Sequence, residues 1–486
     1  MRIYDLPMHE PELHRSLYLI MNHSSIIYRT QHLYTDTVDG YRFVFKPISQ
    51  RGVTVLNKPS AFIFKLINDK RSVEDIFKIA KKKDPSVTIG DIETIIQNLV
   101  DTEIAYDDKP KARYQAAFPA LRRLTAWFHI TNQCNLRCTY CYISKTAHKM
   151  TDEIGMRSID KLLIDAKKNG FNVVKISFAG GECLLEFKRL IRFVEYGIKK
   201  ADEIGIKIEF GMVTNGVLIT DHVAKTVKKY GIQIAVSLDG FGKANDAQRV
   251  FADGSGTFRY ILKGIKKLQE HGNKVNLLMT ITTHNIKTIP QLFKFCIDND
   301  IIFGTNLFRE NPCANTDLTL DMNEAIKYLK KAFRIAYRYV QRINDPQFFA
   351  VLVDSMFDRV QVSRAHNRVC GIGSNYITIS HRGEVAICPM TISEPVGTIK
   401  DEDIVQTMIK KSFIYGKDLI TQTALGCRTC PWRNVCCGGC PLAYLHKEAS
   451  RAQPDYCAVY KTLMPELLRI EARRIIKWGM IENAVH

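Results

Sequence analysis

The chain has 486 residues, 46% hydrophobic and 24% charged, a globular balance that excludes a disordered or low-complexity polypeptide. Lys and Arg number 69 against 50 Asp and Glu, and the net charge of +19 suits an acidic peptide, nucleic acid or anionic lipid without choosing among them. No run reaches the roughly 18 apolar residues of a membrane span, and the opening MRIYDLPMHEPELHRS lacks the apolar stretch of a secretory signal, so a soluble cytoplasmic protein is expected.

Residues 41–57 (YRFVFKPISQRGVTVLN) are β-rich, and helical spacing follows in PSAFIFKLIND, SVEDIFKIAKKK and IGDIETIIQNLVDTEIA, with Pro59, Ser72 and Gly90-Asp91 as start signals. A small sheet with three helices is predicted for residues 1–108, followed by a polar linker at 107–120. From residue 124 strand-like runs at 124–131, 173–178, 206–215, 232–239, 275–282 and 301–308 alternate with helical patterns. Near-continuous apolar strands separated by helices mean a parallel sheet covered on both faces, and six units are too few for a closed eight-fold barrel. The fold class is therefore α/β, with a partial (β/α)6 TIM-like barrel over residues 118–310. Residues 311–365 read as a helical bridge, and residues 366–486 form a cysteine-rich domain.

The 14 cysteines are unevenly placed, and in a large chain without an export signal they are expected to hold metal rather than form disulfides. Directly after the first barrel strand, TNQCNLRCTYCYI sets Cys134, Cys138 and Cys141 in a C-x3-C-x2-C loop. Three thiolates in one tight loop can hold three irons of a cubane cluster and leave the fourth open; a zinc loop or buried thiols are the plain alternative, but no fourth zinc ligand of the usual kind lies in the loop. Gly180-Gly181-Glu182, Thr214-Asn215-Gly216 and Ser237-Leu238-Asp239-Gly240 follow at the C-terminal ends of the next strands, where barrel enzymes build their sites.

On these residues the central domain resembles the radical S-adenosylmethionine (SAM) superfamily. The resemblance implies that SAM binds the open iron, with Tyr140 along the adenine and Gly180, Gly181 and Glu182 at the methionine ammonium. Asn215 is a further SAM contact, Ser237 and Asp239 meet the ribose or the substrate, and Arg249 pairs the SAM carboxylate. Cys183 stands where relatives commonly carry proline and is expected to be a buried, inert thiol. His129 is expected to be a packed histidine rather than a proton donor.

In the last part come Cys370, Gly383-x4-Cys388, Cys427-x2-Cys430-x5-Cys436-x3-Cys440 and Cys457, with Cys437 beside them, while YITISHRGEVAICP reads as a hairpin turning at Arg382-Gly383. Seven ordered cysteines exceed one zinc site and nearly fill two four-ligand clusters. Their order is similar to the SPASM extension of peptide-modifying radical SAM enzymes. The resemblance implies an outer cluster on Cys427, Cys430, Cys436 and Cys457 and an inner one on Cys370, Cys388 and Cys440, three [4Fe-4S] clusters in all. QVSRAHNRV, before Cys370, offers no fourth inner cysteine, which leaves an open iron or a borrowed His366, Cys437 or Cys313. An open inner iron would suit a substrate thiolate, since soft iron favours deprotonated sulfur. Cys296 and Cys313 are otherwise structural by default.

The N-terminal part resembles the winged-helix-like precursor-recognition element of ribosomal-peptide maturases, which captures a leader peptide as an added strand. A nucleic-acid-binding winged helix is the alternative. Together the resemblances imply a radical SAM oxidoreductase that takes hydrogen from a ribosomally made precursor peptide with a 5′-deoxyadenosyl radical and closes a thioether or carbon-carbon cross-link. An external donor such as flavodoxin or ferredoxin would supply electrons, with no membrane partner. The rival readings are a formylglycine-generating sulfatase maturase and an iron-sulfur RNA-binding or RNA-modifying protein.

Overall fold

The computed structural model describes residues 22–49, 51–107, 122–311, 313–314, 318–358, 360–363, 365–366, 370–412, 426–427, 429–444 and 456–478. The opening sixteen-residue segment and, beyond Asp107, the linker expected at 107–120 lie outside the described residues, as do parts of QVSRAHNRV.

The chain begins with β1 (Tyr28–Arg29), β2 (Tyr34–Val38), β3 (Tyr41–Phe45) and β4 (Val53–Leu56). β2 and β3 turn at Asp39 and Gly40, whose φ of 49° and 83° are the left-handed values a two-residue hairpin demands. β2 was not anticipated, although Asp-Gly between alternating residues is its signal; residues 46–49, 51 and 52, expected as β-rich, lie outside any strand.

Three helices follow: α1 (Lys58–Leu66), α2 (Val73–Lys83) and α3 (Ile89–Asp101). Asn57 caps α1 ahead of Pro59, and Ser72 with Asp75 forms a capping box on α2. The third start is set by Thr88, with Asp91 reaching back to it, rather than by Gly90-Asp91 alone. β5 (Ala105–Tyr106) returns to β1.

The barrel then runs β6 (Arg123–Thr131), α4 (Asp152–Lys168), β7 (Val173–Gly180), α5 (Phe187–Ile204), β8 (Lys207–Thr214), α6 (Asp221–Lys229), β9 (Gln233–Ser237), α7 (Lys243–Asp246), α8 (Phe258–Glu270), β10 (Val275–Ile281), α9 (Ile289–Asp298) and β11 (Ile302–Leu307). The six strands are parallel, in the order β11-β10-β9-β8-β7-β6, as the alternation predicts. Leu124, Ala126, Phe128 and Ile130 face the helix layer, where Phe178 stacks on Phe210 and Gly197 lets α5 close on β8. The opposite faces of the strands, with Trp127, His129, Lys175, Ser177, Glu209 and Gln233, form the inner wall. There Lys175 Nζ donates to Gln233 Oε1 at 2.6 Å, and burial, helped by Arg123, holds its ammonium down to about 8.

α10 (Met322–Tyr339) and α11 (Pro346–Ser355) pack against the last barrel unit. The expected hairpin forms as β12 (Tyr376–Ile379) and β13 (Glu384–Ala386), turning through Gly383 at φ 79°. Its position was not legible: β12 lies parallel to β6, with Tyr376 opposite Thr125, so the sheet grows to nine strands ending at β14 (Gly397–Thr398). α12 (Ile404–Ser412), α13 (Arg433–Cys436) and α14 (Cys457–Lys477) complete the chain.

The N-terminal module does not stand apart. Val44 and Leu56 of its sheet pack on α1–α3, while Phe43, Phe45, Val53 and Val55 join the main core under α14. Trp432 lies against Phe45 and Tyr34 with ring centroids at 6.1 and 5.4 Å, and Arg469 and Arg473 of α14 bond Asp36 and Asp39 at 2.8 Å. No described helix is long and apolar enough to cross a membrane.

Candidate active site

β6 delivers the cysteine loop to the C-terminal end of the barrel. Leu136 N–H points at Cys134 Sγ (3.4 Å), and Lys145 Nζ donates to Cys141 Sγ at 2.9 Å. Burial pushes the Cys134 thiol up and Cys138 up to about 11, so loading a metal must displace protons that these sulfurs otherwise keep at neutral pH.

The Gly180-Gly181-Glu182 turn is bonded to this loop: Gly181 N donates to Thr131 O and Glu182 N to Gln133 O, both at 2.7 Å. A Cβ on either glycine would collide with those same carbonyls, and Gly180 sits at φ 136°. The glycines thus serve the close approach of two backbone segments.

Glu182 is 1% exposed, and its carboxylate accepts from Thr214 Oγ1 (2.7 Å), Leu184 N (3.0 Å) and Asn215 N (2.7 Å). Burial raises its pKa, with those three donors opposing. Asn215 in turn donates to Asn135 Oδ1 at 2.7 Å, inside the cysteine loop. Cys183 is fully buried with its thiol on Val213 O (3.3 Å), in keeping with an inert role.

Tyr140, Asp239 and Arg249 come together on the other side of the loop. Tyr140 donates to Asp239 Oδ2 at 2.6 Å, Arg249 donates to the Tyr140 hydroxyl, and Arg249 and Asp239 pair at 3.6 Å. Asp239 also receives Thr280 N at 2.8 Å, and its carbonyl receives Asn285 Nδ2 at 2.7 Å. Ser237 ends β9, half-buried. His129 is 3% exposed against Asn132 (2.6 Å), and burial pushes it down to about 4, which keeps it neutral.

Lys145, Asn285, Asn245 and Gln248 were missed from the sequence; only Lys145, four residues past Cys141, carried a local signal. The others act through distant partners: Asn245 accepts from Asp239 N at 3.3 Å, and Gln248 accepts from Thr282 Oγ1 at 2.6 Å.

In the C-terminal region, Cys427, Cys430, Cys436 and Cys457 lie close enough for their charges to act on one another, and burial above all pushes Cys436 up to about 12. Cys437, Gly438 and Gly439 all have positive φ (46°, 79° and 79°), a sharp turn that parts Cys436 from Cys440. Cys370 precedes the start of β12 by six residues, and Cys388 follows the end of β13 by two. Tyr142 is raised by burial first and then by the charges of Cys141 and Cys388, which it adjoins. Of the borrowed ligands considered, Cys437 Sγ donates to His366 O at 3.1 Å, while Cys313 lies 3.8 Å from Ser144, beside the first cysteine loop.

The donor sets suit iron-sulfur clusters: the described cysteines are not tied up in disulfides, and N–H groups already aim at Cys134 and Cys141 as they would at ligated thiolate. Among the described residues no three His, Cys, Asp or Glu side chains are set to share one metal ion. A cubane asks instead for one sulfur on each of several irons.

Residues 128–296 match the Radical SAM superfamily, and the chain carries a radical SAM domain, for which SAM and a [4Fe-4S] cluster are the implied cofactors. A cysteine-type anaerobic sulfatase-maturating enzyme of Clostridium novyi is 25% identical over 64% of this chain and 85% of that protein. An Fe-coproporphyrin III synthase of Methanosarcina barkeri is 25% identical over 68% of this chain and 86% of that one. The solved structure described as native anSMEcpe with bound AdoMet and Cp18Cys peptide superposes with a TM-score of 0.56 at 21% identity, covering 72% of this chain and 99% of that one, a likeness of fold.

Proposed function

We propose that this protein is a radical SAM maturase that cross-links a ribosomally made precursor peptide through a thioether or carbon-carbon bond. The observation that carries the reading is the second set of gathered thiols, Cys427, Cys430, Cys436 and Cys457, on a domain whose hairpin extends the barrel sheet itself. A barrel that only cleaved SAM would have no use for further clusters, whereas an oxidative cross-link must discharge an electron. The N-terminal sheet supports a peptide substrate: in the order β2-β3-β4 its two outer strands each have one side unpaired within the sheet, and an acidic leader could add there against a chain of charge +19.

Cys134, Cys138 and Cys141 would hold the SAM cluster. Cys427, Cys430, Cys436 and Cys457 would hold the outer auxiliary cluster, and Cys370, Cys388 and Cys440 the inner one, with an iron free for a substrate thiolate. What the cluster and SAM supply when bound is a carbon radical able to take a hydrogen atom from the peptide. Glu182 holds the Asn215 turn against the cysteine loop, and Asp239 and Arg249 fix the Tyr140 hydroxyl, so that the mouth of the barrel is ordered before substrate arrives. Lys175 and Gln233 offer polar contacts deeper in the barrel. An external flavodoxin or ferredoxin would deliver the reducing electron.

The test is mass spectrometry of the peptide encoded beside this gene after anaerobic incubation with reconstituted protein, SAM and reductant. A loss of two hydrogens per link is expected, with cysteine no longer alkylated for a thioether; an unchanged mass with SAM consumed overturns the reading. The sulfatase-maturating relative favours formylglycine formation as the second reading. More than a quarter of this chain lies outside the match to the anSMEcpe structure, and a leader-binding module is one use for it.

A further inference from the structure

We infer that Arg309 sets the reduction potential of the auxiliary cluster held by Cys440, from a buried ionic platform at the end of the last barrel strand. The inference rests on the three-cluster reading above. Arg309 Nη1 and Nη2 donate to Asp358 Oδ1 and Oδ2 at 2.8 and 2.7 Å, a bidentate pair. Tyr460 OH adds a bond to Asp358 Oδ2 at 2.5 Å, and Leu307 N one to Oδ1 at 3.1 Å. The side chains of Arg309 and Asp358 are only 9% and 0% exposed. Asp358 sits at φ 24°, an uncommon place for a residue with a Cβ.

A buried ion pair rarely repays its desolvation in stability alone, so its position needs another account. That position is beside Cys440. A Cβ at Gly439 would lie 3.2 Å from the ring of Tyr460 and 3.3 Å from its hydroxyl, so a glycine there lets the chain entering Cys440 rest on the phenol that holds Asp358. The same short segment reaches the other cysteine sets. Tyr456, next to Cys457, donates to Phe308 O at 2.8 Å, and Asn311 donates to Tyr140 O, next to Cys141, at 3.3 Å.

A fixed positive charge in a water-poor setting favours the reduced, more negative state of a neighbouring cluster and raises its potential. The Asp358 carboxylate opposes this, but its oxygens are bound by Arg309, Tyr460 and Leu307. Outer-sphere groups of this kind tune metal centres without ligating them. The cluster so placed is the better one-electron acceptor, the property a product radical requires of it. Arg309 is a positioning and potential-setting residue, not a ligand.

The test is an EPR-monitored redox titration of the full-length, anaerobically reconstituted protein as wild type, Arg309→Met, Arg309→Lys and Asp358→Asn, each with iron and sulfide counted. The wild type should hold about 12 irons, four per cluster. Arg309→Met should lower the midpoint of one auxiliary cluster, Asp358→Asn should raise it, and Arg309→Lys should restore most of the wild-type value, while the SAM-cluster signal stays in place. Opposite shifts separate charge from mere loosening of the fold, which would move both variants the same way; a common shift, or none, overturns the inference. Should Arg309→Met fail to hold clusters, Asp358→Asn decides by its upward shift or its absence. Fewer than three clusters in the wild type overturns the three-cluster reading instead, and this inference with it.

Discussion

Tyr140 donates its hydroxyl to Asp239 at 2.6 Å, joining the loop after the first barrel strand to the loop after the fourth, with Arg249 as the positive member of the group. Asp239 is fully buried, so its polar atoms find their partners within the protein. Arg249→Gln leaves that carboxylate without its cation and should cost about 3–5 kcal/mol of stability, whereas Tyr140→Phe, which removes one hydrogen bond, should cost about 1–2 kcal/mol. Denaturant unfolding of the two variants checks the ratio; equal costs would mean that the Arg249 pairing adds nothing beyond a single hydrogen bond.

Glu182 ties three chain segments together, and Glu182→Gln replaces one acceptor oxygen with a donor facing Thr214 or Asn215. A loss of about 2–3 kcal/mol is expected, together with weaker iron retention by Cys134, Cys138 and Cys141. Iron content after desalting, compared with that of Cys183→Ala, reads the effect. Cys183 touches the same turn without holding it, so its variant should keep the iron.

Lys175 gives a pH signature. Its folded pKa of about 8 lies below the ordinary lysine value of 10.5, so between these values the unfolded chain binds the extra proton. The resulting penalty of roughly 3 kcal/mol is fully present below pH 8 and is lost as pH rises toward 10.5. Lys175→Met should raise the melting temperature at pH 7 and flatten the pH dependence of stability across that window. A variant that melts lower at pH 7 would instead assign the lysine a structural bond worth more than its burial cost.

Trp432→Ala should loosen the N-terminal sheet from the cysteine-rich domain, since the indole lies against both Tyr34 and Phe45. A cost of about 2 kcal/mol is expected for a half-buried aromatic contact of this kind. Limited proteolysis should then cut around residues 34–56 sooner than in the wild type, and unchanged cleavage would place the docking energy in α14 instead.

The six barrel strands were legible because each is an apolar run buried against helices and bounded by its own turn, so the local pattern and the tertiary role agree. The N-terminal sheet was legible in part: residues 41–45 and 53–56 carry the β signal, whereas Tyr34–Val38 alternates too weakly and announces itself only through the Asp39-Gly40 turn. Where the C-terminal hairpin docks could not be read, because Tyr376–Ile379 fits any sheet edge and the choice of β6 depends on the whole barrel. At the site, the sequence named Glu182, Tyr140, Asp239 and Arg249 but not that they bond to one another or to the cysteine loop. Contacts such as Asn285 to Asp239 join residues with no common spacing. Arg309 and Asp358 were invisible for the same reason: charged residues in ordinary-looking segments become notable only once folding buries them together.

The docking of α14 on the N-terminal sheet has a consequence for synthesis. The ribosome releases Phe43 and Phe45 well before α14, the helix that covers them, which follows about 400 residues later. While the barrel is being translated, the nascent chain therefore displays an unfinished apolar surface, and a chaperone or the growing barrel must shield it. A truncation that removes residues 457–477 would therefore uncover Phe43 and Phe45, which lie far upstream of it.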